Sequence, residues 1–238
     1  MKFYVNKIIR VYQKSRYKKV QILSIKNRKS DIFLALLLTV FIISLAVVIT
    51  VFFKPLYYFD IDYLHISETT GLSVDVIRHN YDVLIQYQSL FYQGTLNLPD
   101  FVMSNSGRIH FEEVKRIFEI IQITCFVSGL WSLIMVYRRL KQKEYRFLRL
   151  TSLFAIGIPT VIGFLAAIDF NKAFVIFHQI VFRNDYWIFN EATDPVITIL
   201  PEAFFMHCFM MIVGIVIVIS AGLYAYYCIQ KKRILQNT

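Results

Sequence analysis

The sequence predicts an all-α membrane protein with four transmembrane helices, both termini in the cytoplasm, and two extracytoplasmic loops that carry short interfacial helices. Three observations predict this class. The 238-residue chain is 57% hydrophobic and only 18% charged, and its mean hydropathy is +0.52. Its apolar residues gather in blocks of about 20, the length at which a helix crosses roughly 30 Å of hydrocarbon. Its basic residues concentrate in alternate connections between those blocks.

Four apolar blocks are long enough to cross a membrane as helices. They cover residues 32–53, 117–137, 148–168 and 204–229. The blocks divide the chain into a basic segment over 1–30 and a single membrane domain over 31–235, with outer loops at 54–116 and 169–203. The third block contains Pro159, and we expect a kink there because proline removes a backbone donor and crowds the preceding turn.

The orientation of the spans follows from the basic residues. Of the 26 Lys and Arg, 10 precede the first span, 6 lie between the second and third spans or at the very start of the third, and 3 follow the fourth. The positive-inside rule therefore places both termini and the basic segment in the cytoplasm. The complementary outer loops hold 7 basic and 13 acidic residues. The overall charge of +10 therefore reflects the basic residues on the cytoplasmic side of the predicted membrane topology, and it does not indicate nucleic-acid binding.

Cysteine content and motif searches exclude several functions. Cys125, Cys208 and Cys228 all fall within predicted spans, which excludes a disulfide framework or a thiol nucleophile in the outer loops. The chain has no P-loop, no glycine-rich dinucleotide fingerprint, no CxxC and no HExxH. Function is therefore expected in the outer loops, through other side chains.

The first outer loop begins with an aromatic cluster typical of a membrane interface, Tyr57 to Phe59. A helix is predicted from Ser73, which can cap it, to about Tyr92. Its apolar stripe consists of Ile77, Tyr81, Leu84, Ile85 and Gln88. His79 lies off that stripe, and we interpret it as a solvated surface residue.

A second helical pattern restarts near His110 and runs into the second span. His110 shares a face with Val114, Ile117 and Ile121, and Glu113 follows it at i+3. The pattern places His110 at the outer membrane boundary, on the packed side of its helix. A structural histidine bonded to a carboxylate and a functional histidine are equally compatible with this pattern.

The third pattern surrounds a second histidine, His178. Helical spacing puts Phe174, Phe177, His178, Val181 and Phe182 on the apolar face of a short interfacial helix. A lone histidine on such a face is ordinarily a core residue. Two of them at the outer boundary favour a functional role, because a neutral imidazole can accept or donate a proton near neutral pH and polar groups at membrane depth are costly.

The two motifs together resemble a known family. "HFEEVKRIF" at 110–118 and "FHQIVFRNDYWIFNEATDPVITILPEAFF" at 177–205, set in a four-helix frame, are similar to the lipoprotein intramolecular transacylases of Gram-positive bacteria. The resemblance covers about residues 31–235. The family pattern has Asp where this chain has Glu113, and the basic segment is long for the family.

The resemblance implies an activity and a site. The sn-2 fatty acid of a diacylglyceryl-modified N-terminal cysteine would move to that cysteine's α-amine, giving a lyso-form lipoprotein. The two histidines of the family map onto His110 and His178. Diacylglyceryl lipoproteins and membrane lipid are then the expected partners, in the cell membrane, with the site facing the extracytoplasmic side.

The residues suit that chemistry. The amine must lose a proton, the carbonyl oxygen becomes anionic, and the sn-2 oxygen needs a proton as it leaves. One imidazole as base and another as acid would each contribute typically about 10² to 10⁴ in rate, and either histidine can hold either role. The candidate substrate-binding residues are Tyr81, Arg183, Asn184, Asp185 and Trp187. No metal or other cofactor is required.

Two other classes of function remain open at this point. A non-catalytic membrane sensor or assembly partner would use both histidines structurally. A metal-assisted membrane hydrolase would use His65, His110 and His178 with Asp185 or Asp194, although these spacings match no recognised ligand motif. A transporter is disfavoured, because charge within the predicted spans is limited to Glu119 and Arg149, each near a helix end.

Overall fold

The computed structural model describes residues 28–236, and this part of the chain contains helices and loops without strands. The helices are α1 (Arg28–Phe52), α2 (Lys54–Tyr63), α3 (Ile66–Thr70), α4 (Val74–Tyr87), α5 (Asn105–Lys141), α6 (Arg146–Ile168), α7 (Phe170–Val181) and α8 (Glu202–Gln236). A short 3₁₀ turn, Pro195–Ile199, precedes α8. The prediction of an all-α chain is confirmed for the described residues.

Three of these helices, α1, α5 and α8, are long and apolar enough to cross a membrane. They coincide with the first, second and fourth predicted spans. The 23-residue helix α6 occupies the third predicted segment and continues through Pro159. A fourth crossing at α6 stays a prediction, as does the location of the termini. Most of the basic segment, residues 1–27, lies outside the described residues.

Helices α1, α6 and α8 pack through an apolar cluster that includes two alanines. Ile42 and Ala46 of α1, Ala155 of α6 and Val216 of α8 form a buried cluster midway along the bundle. Small side chains such as alanine let helix backbones approach closely, which drives helix association where lipid removes the hydrophobic effect. A second cluster, Leu34, Phe147 and Leu148, closes the end of the bundle at the α5–α6 turn.

The two predicted outer loops fold against each other at the opposite end. Their core contains buried residues from α2, α3, α4, the start of α5, the 3₁₀ turn and the start of α8. Tyr57 stacks on Tyr81 with ring centroids 3.6 Å apart, and its hydroxyl donates to the carbonyl of Ile199 at 2.6 Å. This aromatic core joins the two loops and carries both candidate motifs.

Two predicted helix boundaries are wrong. Helix α4 begins after the Ser73 cap as predicted but ends at Tyr87, short of Tyr92. The chain leaves the helix because the carbonyls of Tyr87, Ser89 and Tyr92 turn onto Lys115 Nζ, at 2.7, 3.0 and 3.1 Å. Helix α5 starts at Asn105, earlier than the restart predicted near His110, because Ser104 caps it.

Candidate active site

Hydrogen bonds fix the N-terminus of α5, one to two turns before His110. The Ser104 hydroxyl accepts a hydrogen bond from the Gly107 amide at 3.0 Å, and the Ser104 amide donates to Asp194 Oδ1 at 2.8 Å. Asp194 is only 2% exposed, and a carboxylate at a helix N-terminus is favoured by the helix dipole. The residues around the 3₁₀ turn thus fix the helix that carries His110.

His178 lies on α7, the short helix that the sequence predicted around it. Asp169 caps this helix by accepting from the Lys172 amide at 2.9 Å. Of the predicted apolar face, His178 and Phe182 are buried, whereas Phe177 and Val181 are 53% and 37% exposed. The apolar face of α7 thus has a buried stripe, which carries His178, and an exposed part.

The two histidines come together in an aromatic enclosure. Their ring centroids lie 6.1 Å apart, and the His110 and His178 residues are 5% and 9% exposed. Phe182 packs against both rings, at 4.7 Å from His110 and 5.6 Å from His178. Trp187 lies 4.8 Å from His178. The pair is therefore largely shielded from solvent.

Three polar atoms at this site are buried and lack a hydrogen-bond partner in the described part of the chain. They are His110 Nδ1, Glu113 Oε2 and Trp187 Nε1. Leaving a buried donor or acceptor unpaired costs about 1–3 kcal/mol, and native structures keep few such groups. Three of the ten such atoms within residues 28–236 lie at this histidine pair, which makes the pair a candidate reactive site.

The hydrogen bonding of His178 defines which of its nitrogens is reactive. Nδ1 lies 2.8 Å from the carbonyl oxygen of Phe174, and because a carbonyl only accepts, this nitrogen carries the hydrogen. Burial lowers the pKa of His178, while the bond to Phe174 opposes that shift. The ring is accordingly neutral near pH 7, with a lone pair on Nε2.

The structure brings some of the predicted substrate-binding residues to the pair. Asn184 Nδ2 donates to Glu113 Oε1 at 2.9 Å, which ties the loop after α7 to the helix of His110. Trp187 contacts His178 directly. Arg183 and Asp185 are exposed on the same loop. Tyr81 is instead buried in the aromatic core, against Tyr57 and Phe204.

One buried polar pair was not predicted. His207 of α8 lies with Nδ1 2.8 Å from Asp60 Oδ1, and Asp60 is fully buried. Burial raises the pKa of Asp60 and His207 opposes that rise. The sequence did contain one indication of this pair: His207 lies in the first turns of an apolar span, where a polar group needs a partner. Its partner on α2, far away in sequence, could not be read from the chain.

The metal-hydrolase alternative lacks a ligand set. Between residues 28 and 236, no group of three or more His, Cys, Asp or Glu side chains is arranged to hold a metal ion. His65 forms an exposed pair with Glu68 at 3.1 Å. The three histidines of that alternative therefore do not form one cluster.

Comparison with known proteins agrees with this geometry. The family model described as "Lipoprotein intramolecular transacylase Lit" matches residues 32–205. The chain belongs to this family. The expectation from the two motifs is confirmed at that level, and the family is one of enzymes that act on lipoproteins.

Solved structures of the family share the fold. The membrane-integral lipoprotein intramolecular transacylase Lit from Bacillus cereus is 38% identical, with a TM-score of 0.83, over 87% of this chain and 99% of that chain. A histidine-to-arginine variant of that protein is 36% identical, over 93% and 99%, with a TM-score of 0.83. A histidine-to-alanine variant is 37% identical, over 91% and 99%, with a TM-score of 0.82.

None of the curated proteins compared with the chain matches it. The membrane-integral relatives and the three long apolar helices make this chain a membrane protein of the transacylase family.

Proposed function

We propose that the chain catalyses an intramolecular O-to-N acyl transfer on diacylglyceryl lipoproteins. The sn-2 acyl chain moves to the α-amine of the N-terminal cysteine and leaves a lyso-form lipoprotein. The observation that supports this most is the buried pair His110 and His178, with rings 6.1 Å apart and an unpartnered nitrogen on His110. The pair supplies acid and base in a setting where water is scarce.

The reaction balances within one substrate molecule. A bond forms between the amine nitrogen and the acyl carbon, and the bond from that carbon to the sn-2 oxygen breaks. The amine loses one proton, and the glycerol oxygen gains one. Since no water or co-substrate enters, the enzyme mainly holds the amine close to the ester, and such positioning contributes up to about 7–11 kcal/mol.

His178 is the base in this proposal. Its Nδ1–H is committed to Phe174, so Nε2 is the atom that accepts the amine proton. Two charged imidazoles about 6 Å apart in a buried site would repel each other. The pair therefore holds at most one extra proton, which passes from the amine through His178 to the departing sn-2 oxygen.

His110 completes the pair from the other side. With one ring nitrogen unpartnered, it can donate a hydrogen bond to the oxygen that becomes negative, or hand the shared proton to the leaving oxygen. Trp187 Nε1 and the amide of Asn184 are the nearest additional donors, and stabilising such an oxygen with one donor is worth about 10² to 10³ in rate. In this proposal, Arg183 and Asp185 contact the polar part of the lipopeptide. Tyr81 has an indirect role, because it belongs to the aromatic core that joins the two loops.

The membrane arrangement in this proposal has four crossings, with α6 as the third. Both termini lie in the cytoplasm, and the histidine pair faces the extracytoplasmic side of the cell membrane. The charge asymmetry between the connections supports this orientation.

Mass spectrometry of a lipoprotein's N-terminal peptide tests the reaction. The gene is expressed in a host that makes diacylglyceryl lipoproteins, in parallel with His110→Ala, His178→Ala and the control His79→Ala, which changes an exposed histidine. We expect one N-acyl and one O-acyl chain with the wild type and the control, and a free amine with the other two. A free amine in every strain, at matched membrane levels, would leave the sensor or assembly reading instead.

A glutamine series separates the two histidine roles. Glutamine donates a hydrogen bond but does not carry a proton between groups. If His110 acts by hydrogen bonding, His110→Gln keeps part of the rate that His110→Ala loses, whereas His178→Gln and His178→Ala lose the same amount. Equal losses for both glutamine variants would make His110 a proton carrier as well.

A further inference from the structure

A cavity of about 440 Å³ lies between the start of α6 and the end of α8. Its walls are Arg146, Arg149, Leu150, Leu153 and Tyr227. The volume falls within the roughly 300–1,000 Å³ of small-molecule pockets. His110 lies near the start of α5, and about 31 residues of that helix, roughly 45 Å, separate it from the α5–α6 turn. The cavity is therefore separate from the candidate active site.

The guanidinium groups of the two cavity arginines lack a hydrogen-bond or ion-pair partner among the described residues. This holds for both Arg146 and Arg149 within residues 28–236. The neighbouring acids are engaged elsewhere, because Arg139 binds Asp31 at 3.3 Å and also binds Glu144. Asp31 attracts Arg146 electrostatically, but its ion pair is with Arg139, so neither cavity guanidinium has a carboxylate of its own within residues 28–236.

The rest of the cavity wall is apolar. Leu150 and Tyr227 are half-buried, and Leu153, one turn further along α6, is 54% exposed. The wall therefore changes from cationic to apolar along the direction of the helices. A molecule with a phosphate at one end and hydrocarbon at the other fits both parts, whereas a soluble anion would use only the arginines.

We propose that this cavity binds the headgroup of an anionic phospholipid, with its phosphate on Arg146 and Arg149 and its acyl chains along Leu150 and Leu153. Arginine suits this ligand because its planar guanidinium binds phosphate oxygens in pairs. Basic pockets between transmembrane helices on the cytoplasmic side are typical sites for such headgroups. The chain's own residues 1–27 do not complement the cavity, since they carry eight Lys and Arg and no Asp or Glu.

Lipid retention measured by native mass spectrometry tests the site. The full chain is purified in detergent and titrated with phosphatidylglycerol, phosphatidylcholine or inorganic phosphate. The test variant is Arg146→Gln with Arg149→Gln. The matched control is Arg138→Gln with Lys141→Gln, which removes two exposed charges from the same end of the bundle. We expect the wild type to retain one phosphatidylglycerol molecule. Occupancy by this lipid should fall at least about tenfold in the test variant and should be unchanged in the control variant.

A second variant keeps the test valid if the double arginine change unfolds the chain. Leu153→Glu places a negative charge on an exposed residue of the wall, and it should expel phosphatidylglycerol without disturbing the core. Unchanged phosphatidylglycerol occupancy in the folded test variants would overturn the proposal. So would equal loss in the control pair, which would indicate diffuse attraction, or displacement by inorganic phosphate at equal concentration, which would indicate a site for a soluble anion.

Discussion

Helix α5 carries two polar residues with opposite surroundings, the buried His110 and the half-buried Lys115. Lys115 has a side chain 13% exposed, and it is fully engaged: it pairs with Glu119 at 3.2 Å, donates to three carbonyls and lies over the Tyr87 ring at 4.9 Å. His110 is more deeply buried, yet its Nδ1 has no partner in the described chain.

This contrast distinguishes a residue that stabilises the fold, Lys115, from a residue proposed to take part in the reaction, His110. The Lys115 ammonium is satisfied by its carbonyl and carboxylate partners, which stabilises the turn between α4 and α5. Three polar atoms around His110 are unpaired, at a cost of about 1–3 kcal/mol each, and in the proposed function these atoms contact the substrate. We therefore expect substitutions at Lys115 to change stability, and substitutions at the histidine pair to change activity.

The largest effect is expected for His178→Gln. Loss of the base should lower the rate on a synthetic diacylglyceryl lipopeptide by about 10² to 10⁴, because His178 Nε2 is the atom that accepts the amine proton in the proposed reaction. The melting temperature should change little, since glutamine fills a similar volume. Rates are compared with those of His79→Gln, and equal rates in the two variants would contradict a catalytic role for His178.

Lys115→Met should have the largest effect on stability. Removing the ammonium leaves three carbonyls and Glu119 without their donor, and breaking a buried charged network costs roughly 3–5 kcal/mol. The measurement is the free energy of unfolding in mixed micelles, with the exposed Lys141→Met as control. A loss as small as that of the control would show that Lys115 does not hold the turn.

Trp187→Phe removes one unpaired donor at the site. Phenylalanine keeps a ring against His178, but Nε1–H is lost together with part of the indole. We expect stability to change by no more than about 1 kcal/mol, because the loss of an unsatisfied donor offsets the lost ring packing, and the rate to fall about tenfold or more if that donor contacts the substrate. Trp131→Phe, at an exposed position of α5, is the control. A lower stability with a normal rate would reverse the assignment.

Gly107→Ala tests how the start of α5 positions His110. Alanine ordinarily stabilises a helix by about 1 kcal/mol relative to glycine. At this position its Cβ would clash with Asp194 Oδ1, so the carboxylate that binds Ser104 must move. We expect stability to fall by about 1–3 kcal/mol and the rate to fall with it. Gly214→Ala, which meets no atom within 4 Å, should be neutral or stabilising.

The smallest effect is on the pH dependence of stability. Burial lowers the pKa of His178 below the value of about 6.5 for an unfolded histidine. Below that pH the unfolded state binds a proton that the folded state does not, so the free energy of unfolding falls as the pH drops below about 6.5. The difference in stability between wild type and His178→Gln, measured from pH 7.5 to 5.5, should show this slope. A flat difference would contradict the lowered pKa.

The parts of the fold that could be predicted are those set by local pattern. Helices α1, α5 and α8 follow from apolar length, and α7 from the spacing around His178. The proximity of His110 and His178 could be expected only from the resemblance of their motifs, since hydrophobic periodicity says nothing about which faces meet. The end of α4 was missed because it depends on Lys115, which reaches back from the following helix.

The same limit applies to polar partners. Asp194 holds the start of α5 from 90 residues away in sequence, and it appeared in the sequence only as a candidate metal ligand. Asp60 and His207 lie in separate predicted segments, and only folding pairs them. Contacts of this kind are set by tertiary packing, which a single sequence without its relatives does not reveal.

The most direct test measures activity and stability together for His178→Gln and Lys115→Met. Formation of the N-acyl peptide is followed per folded molecule, and the free energy of unfolding is measured on the same preparations. We predict that His178→Gln keeps its stability and loses at least about 10² in rate, while folded Lys115→Met keeps most of its rate and loses about 3 kcal/mol of stability. Parallel losses of rate and stability in both variants would contradict the division of α5 into a scaffold and a reactive site.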